Sequence, residues 1–283
     1  MEPERSRFRG KVVLIIGGAV GIGKKITESF AQEGATTIFF DIDSLKGEEL
    51  LKNLKKNNFP VNFFSVNITD EENIKEAIAA IIQEHKRIDI IINNVRGPRE
   101  RGKGPFESSL TDWITSFNFI LGGAYLALKY TLPEMAKQKK GVVLNMGSVS
   151  GLLIGDESLQ YHVAKAGLIQ LTKFVADRYG KDGIRANCIS PGFIVREEDF
   201  SQFNQENNQR YKQTAILTHP LRKIGSPLDV ARAALFLCSE ESSFITGENL
   251  VVDGGLTIRD QWSVASQISK ADEDEKAKHE KTG

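Results

Sequence analysis

The chain has 283 residues, enough for one large α/β domain or two small ones with a sizeable core. Lys plus Arg and Asp plus Glu are equal at 37 each, so no net field draws the molecule toward nucleic acid or an anionic membrane, and partners must be argued from a site. The first ten residues are charged and lack an apolar h-region, and no later apolar run approaches the ~18 residues of a membrane span; a cytoplasmic protein is expected.

From the N-terminus onward, short apolar runs of strand character alternate with longer amphipathic ones. This is the pattern of a parallel sheet covered by helices on both faces. The seven strand candidates are Lys11–Ile16, Thr36–Phe40, Val61–Ser65, Ile88–Ile92, Val142–Met146, Ile184–Ile189 and Asn249–Val252.

The first strand opens into Gly17-Gly18-Ala19-Val20-Gly21-Ile22-Gly23 and a helix from near Lys24. Such glycines let the backbone turn tightly and approach a pyrophosphate, whose charge meets the amides and dipole of the helix N-terminus. The spacing is G-x-x-x-G-x-G instead of the commoner G-x-G-x-x-G, and a plain tight connection would also use glycines. The second strand runs into Asp41, and a carboxylate about 20 residues past the glycines is placed to accept hydrogen bonds from an adenosine ribose.

Further along, Thr69-Asp70-Glu71-Glu72 predicts a capping box, and Ser226-Pro227 puts a cap residue before a proline at the first helical position. Cys188 and Cys238 sit in apolar stretches with no metal or redox spacing and are expected to be free thiols. The histidines His85, His162, His219 and His279 show no paired-ligand spacing, so no catalytic metal is expected. Neither Ser148 nor Ser190 lies in a G-x-S-x-G elbow, which leaves a hydrolase without a motif. Two segments stand outside the alternation. The polar stretch from Arg196 to about Pro220 has the character of a lid, and the mixed-charge tail within 259–283 is too poor in apolar residues to pack, so it is expected to be solvated and partly disordered.

Together these motifs resemble the short-chain dehydrogenase/reductase family, in its compact branch with a Y-x-x-x-K active site, over roughly residues 8–258. The glycine turn is similar to T-G-x-x-x-G-I-G, with Ile16 in place of threonine; Asn93-Asn94-Val95-Arg96 is similar to N-N-A-G with its second half replaced. Asn118, within Trp113 to Asn118, falls at the family's asparagine on the fourth helix, and Ser148 at its serine after the fifth strand. Tyr161-His162-Val163-Ala164-Lys165 matches Y-x-x-x-K, Asn187 to Gly192 matches N-x-x-x-P-G, and Thr246-Gly247 through Asp253-Gly254-Gly255 matches T-G…D-G-G.

The resemblance implies a doubly wound Rossmann-type α/β fold, a seven-stranded parallel sheet flanked by helices on both faces in one domain over 8–258. It implies a nicotinamide cofactor contacted by Gly17, Gly21, Ile22, Gly23, Asp41, Asn67, Ile68, Asn94, Tyr161, Lys165, Pro191, Gly192 and Ile194. The implied catalytic residues are Asn118, Ser148, Tyr161 and Lys165, with Ser148 and Tyr161 meeting the substrate, Lys165 also holding the nicotinamide ribose, and Asn118 anchoring a water. A homo-oligomer, tetramer or dimer, is implied too, the tetramer built on the long fourth and fifth helices and the C-terminal strand.

The tyrosine-lysine pair has a physical reading of its own, because positions i and i+4 share a helix face and an ammonium beside a phenol stabilises phenolate; Tyr161 is the expected general acid/base. On spacing alone an ordinary amphipathic pair fits as well. Asp41 would meet the 2′-phosphate of NADP as a like charge, and Val20 and Ile42 stand where a compensating cation would, so the expected cofactor is NAD(H). The expected reaction moves a hydride between NAD(H) and a small secondary alcohol or ketone: a polar alcohol, polyol or sugar. A 3-ketoacyl carrier-protein reductase remains an alternative, though Asp41 disfavours it. So does a non-catalytic NAD-binding scaffold. A nucleotide-sugar epimerase or dehydratase generally carries an added C-terminal substrate domain, and only a tail follows the last strand here. Arg96, Arg196 and Asp156-Glu157 depart from the family pattern around the expected pocket; they suit a polar or charged substrate as well as solvated loops.

Overall fold

All five residues of the first strand are buried, because it runs through the middle of a sheet whose two faces are both covered. The computed structural model describes residues 6–97 and 106–282. Its strands are β1 (Val12–Ile16), β2 (Thr36–Asp41), β3 (Val61–Ser65), β4 (Ile90–Asn93), β5 (Gly141–Met146), β6 (Ile184–Pro191) and β7 (Asn249–Val252). They form one parallel sheet in the order β3-β2-β1-β4-β5-β6-β7. The order reverses between β1 and β4, the kind of switch point beyond whose carboxyl strand ends open α/β sheets bind their ligands.

The pleat sends Val13 and Ile15 to one face and Leu14 and Ile16 to the other, and each face builds its own core. On the first, Phe30 of α1 (Gly21–Gln32), Leu50 of α2 (Ser44–Lys55) and Val230 of α9 (Pro227–Cys238) join the cluster. On the second, Ile78 of α3 (Glu71–His85), Leu128 of α5 (Gly123–Gln138) and Val175 of α6 (Leu159–Tyr179) do so. The doubly wound α/β architecture expected from the sequence is therefore present.

Local signals resolve with small differences. Asp70, not Thr69, caps α3: its carboxylate accepts from the amides of Glu72 and Asn73, while the Thr69 hydroxyl is turned to Asn67. Ser226 and Asp229 form the capping box of α9 with Pro227 at its first position. Between α4 (Leu110–Phe117) and α5 the chain makes a π turn, Asn118–Gly122.

The stretch from Arg196 carries two short helices, α7 (Phe200–Phe203) and α8 (Gln209–Thr218). Where the composition predicts a solvated tail, the chain forms α10 (Gln261–Thr282); its alanines, lysines and glutamates are good helix formers even without an apolar face. Among the described residues no helix is long and apolar enough to cross a membrane. Cys188 and Cys238 are free and buried, and burial pushes their thiols up to about 11 and about 12.

Candidate active site

The glycine turn closes because three backbones meet where no side chain fits. Gly17 and Gly21 adopt positive φ, and a Cβ on Gly23 would lie 1.8 Å from the Gly17 carbonyl oxygen. The amides of Gly17 and Gly18 donate to the Phe40 carbonyl at 2.8 and 3.0 Å, which fixes the turn to the end of β2. Val20 stands at the N-cap of α1 and supplies no side-chain acceptor, so the first-turn amides of that helix are left for an anion. Such a cradle fits a dinucleotide diphosphate.

Asp41 sits at the end of β2 as the sequence predicts, and it also braces the turn. One carboxylate oxygen accepts from the Ala19 amide at 3.0 Å and the other from the Asp43 amide at 3.1 Å. Asn94 holds the opposite wall: its amide donates to the Ile16 carbonyl and its Nδ2 to the Gly17 carbonyl, both at 2.9 Å. Beside it, a buried chain runs from Asn93 Nδ2 to Asn145 Oδ1 and from Asn145 Nδ2 to Thr172 Oγ1, each 2.8 Å, tying β4 and β5 to α6.

That tie fixes where α6 presents its first turns. Ser158 caps the helix at the Tyr161 amide, and Tyr161 is half-buried at its start. Lys165, one turn on, is buried; its Nζ donates to the Met146 carbonyl at 2.6 Å and the Val95 carbonyl at 3.1 Å, and lies 5.6 Å from the centre of the Tyr161 ring. Burial pushes the ammonium down to about 8, with Cys188 opposing that fall and the charge of Arg96 adding to it. Ser148 is buried and opens the tight turn Val149–Gly151, its hydroxyl accepting from the Ser150 amide at 3.1 Å. A Cβ on Gly151 would lie 2.9 Å from the Lys165 carbonyl carbon, so this turn lies directly on α6.

Other expected contacts spread along the same edge of the sheet. Asn67 is exposed, its Oδ1 taken up by the Thr69 amide and hydroxyl, while Ile68 is buried beside Gly123. Pro191 ends β6, the Gly192 amide donates to the Val252 carbonyl at 3.0 Å, and Ile194 bridges to Gly225. Asn118 heads the π turn, which packs on α6 through Leu121 against Gly167. Asn118 is exposed, and the buried side chain of that turn is the apolar Ile120, next to Gly97. The wider pitch of a π turn rotates the residues that follow it, and the sequence pattern carries no mark of this.

Two features emerge only in three dimensions. Arg196 lays its side chain across Gly21, where an added Cβ would lie 3.0 Å from Arg196 Cδ, and pairs with Asp199 at 2.6 Å; next to it Glu197 pairs with Lys25 at 2.7 Å. The segment from Arg196 thus begins against the glycine turn. Behind it, a cavity of about 420 Å³ lined by Val195, Phe200, Phe203 and Leu228 includes none of Ser148, Tyr161 and Lys165. The second feature joins two separate departures from the family pattern: Arg96 pairs with Glu157, 61 residues away, with its guanidinium 5.5 Å from the centre of the Tyr161 ring.

Known proteins resemble the chain over most of its length. The family described as Enoyl-(Acyl carrier protein) reductase matches residues 17–257. The 3-oxoacyl-(acyl-carrier-protein) reductase FabG of Thermotoga maritima is 36% identical over 252 residues, covering 89% of this chain and 100% of the relative. The 7alpha-hydroxysteroid dehydrogenase of Bacteroides fragilis is 31% identical over 254 residues, 89% of this chain and 96% of the relative. Among solved structures, ElxO with NADP bound superposes with a TM-score of 0.79 at 30% identity, covering 88% of this chain and 99% of that one.

Proposed function

The chain belongs to the short-chain dehydrogenase/reductase family, oxidoreductases of CH–OH and keto groups that use a nicotinamide cofactor, and on that premise we propose that it moves a hydride between NAD(H) and a small polar secondary alcohol, polyol or sugar or the matching ketone. The observation that carries this reading is the buried Lys165 ammonium beside the Tyr161 ring, held by carbonyls at the ends of β4 and β5.

When bound, the nicotinamide supplies or accepts the hydride. Tyr161 exchanges the proton at the substrate oxygen, and Lys165 stabilises the phenolate this leaves. The Ser148 hydroxyl donates to the same oxygen, and the open amides at the start of α1 hold the diphosphate. Asn118, exposed at the head of a π turn that packs on α6, anchors a water between Lys165 and solvent. The test is NADH absorbance against alcohols in one direction and ketones in the other; no turnover in either would sink it.

The cofactor reading rests on Asp41. A solved relative holds NADP, so the fold itself permits either cofactor. Here the carboxylate at the end of β2 would stand against a 2′-phosphate, while the nearby cation Lys25 is engaged by Glu28 and Glu197. We expect NAD(H) to be preferred by at least ~10-fold in kcat/KM, or ~1.4 kcal/mol. Because Asp41 also braces Ala19, Asp41→Ala weakens both cofactors, and the diagnostic is a shrinking ratio between them. Equal efficiency with NADPH in the native chain would overturn the assignment.

A second reading, reduction of a 3-oxoacyl thioester, is favoured by the 36% identity to a reductase of that name. Higher kcat/KM for such a thioester than for any small alcohol or ketone would select it. We also propose a cytoplasmic homo-oligomer, dimer or tetramer, in which a second copy covers the exposed Tyr125 of α5, Phe174 of α6 and the free edge of β7. Light scattering at the monomer mass would exclude it.

A further inference from the structure

We propose that Arg96 is the subsite for a carboxylate of the substrate, so that the compound turned over at Tyr161 is a hydroxy or oxo acid. The inference rests on the reading of Tyr161 as the proton-exchanging group. An oxygen in hydrogen-bond reach of that phenol belongs to a molecule lying beside the ring, and the Arg96 guanidinium stands at the same ring.

The state of that guanidinium points to a carboxylate. Arginine binds carboxylates best through two parallel hydrogen bonds from its planar fork. Here one NH2 group donates to Glu157 Oε1, while Nε is buried with no hydrogen-bond partner among the described residues. The fork is presented to an acid and only partly filled. The two side chains are 41% and 36% exposed, and pairs of this kind hold weakly in water. A substrate carboxylate that also engages Nε therefore outcompetes Glu157, which is free to turn out to solvent. In this structure Glu157 occupies the place of the substrate's own acid group.

The surrounding charge agrees. Lys165 and Arg96 both stand at the Tyr161 ring, against Glu157 and the neighbouring exposed Asp156 on the loop before α6. Moving Glu157 outward leaves two cations facing the substrate, a field that favours an anion and opposes a neutral polyol that would leave the fork empty. A purely structural pair is a poor explanation, because an exposed ion pair between two loops adds little stability.

The experiment compares short hydroxy acids (lactate, 3-hydroxybutyrate, malate and gluconate) with their primary amides, using NAD and following NADH. The expected result is a kcat/KM ratio of acid to amide well above one, falling by ~30-fold in Arg96→Gln as a charged two-point contact is lost. Glu157→Gln should act in the opposite direction, raising the ratio by releasing the fork; a structural pair would make the two variants behave alike. Turnover of amides or neutral alcohols with a ratio that Arg96→Gln leaves unchanged overturns the inference and keeps the oxidoreductase reading. If none of these compounds is turned over, calorimetric titration of the NADH complex with the same acids decides whether Arg96 holds a carboxylate. Acid binding lost in Arg96→Gln upholds the subsite; binding that is absent from the native chain or equal in both overturns it.

Discussion

Tyr161→Phe should lower turnover by ~100-fold or more while leaving NADH affinity within ~3-fold, as expected when a positioned acid/base is removed and nothing else. The substitution deletes one oxygen from a ring that sits on the first turn of α6, in a helix start fixed by the Ser158 cap. Arg96 and Lys165 stay beside an aromatic face of similar size, so the cation contacts that place the ring persist. The lost factor corresponds to ~2.7 kcal/mol of transition-state stabilisation, with none expected in the ground state. Single-turnover hydride transfer reads the first quantity and a fluorescence titration with NADH the second. A variant that turns over at the native rate removes Tyr161 from the mechanism. One that fails to bind NADH makes it a cofactor ligand instead.

What the sequence made legible is what is decided locally. Val12–Ile16 is apolar at every position because both faces of its strand are buried, and the glycines that follow are needed by contacts within a few ångströms. The position of Asp41 follows from strand length, and that of Lys165 beside Tyr161 from helical periodicity. Pairings across long separations left no such trace. Arg96 and Glu157 each depart from a family pattern, but only the folding of the loop before α6 against the end of β4 makes them partners. Lys25 and Glu197 meet in the same way, where the segment after β6 docks on α1. The π turn headed by Asn118 is a different case: a slip of hydrogen bonding changes which side chain faces inward, and no residue pattern announces it. Asn118 stays exposed on that turn, and its inward position belongs to Ile120.

Stability measured against pH should expose the cost of burying Lys165, taken as the difference between the native chain and Lys165→Met. An unfolded lysine keeps its proton to about pH 10.4, whereas the folded group loses its proton near about 8. Between those limits the unfolded chain binds one more proton than the folded chain, so the native protein gains stability as pH rises, by ~1.4 kcal/mol per pH unit and ~3 kcal/mol across the window. Below it both states hold the proton, the difference is flat, and the full cost is present at neutral pH. Burial of Cys188 and Cys238 acts with the opposite sign, since their thiols are held neutral in the fold to about 11 and about 12. Losing Lys165 only raises the Cys188 thiol further, and both thiols stay largely neutral in the fold up to about pH 10, so over that range the subtraction removes them. Methionine keeps an unbranched apolar stem; the carbonyls of Val95 and Met146 lose their donor at every pH, which moves the level of the difference and leaves its slope. Urea unfolding of the two proteins from about pH 7 to about pH 10 should give a difference that is flat at first and then rises in favour of the native chain. A flat difference throughout would mean that the ammonium is not strained by burial. A strained ammonium is what the proposed chemistry needs, because a cation poorly solvated by its surroundings gains most when a phenolate forms beside it.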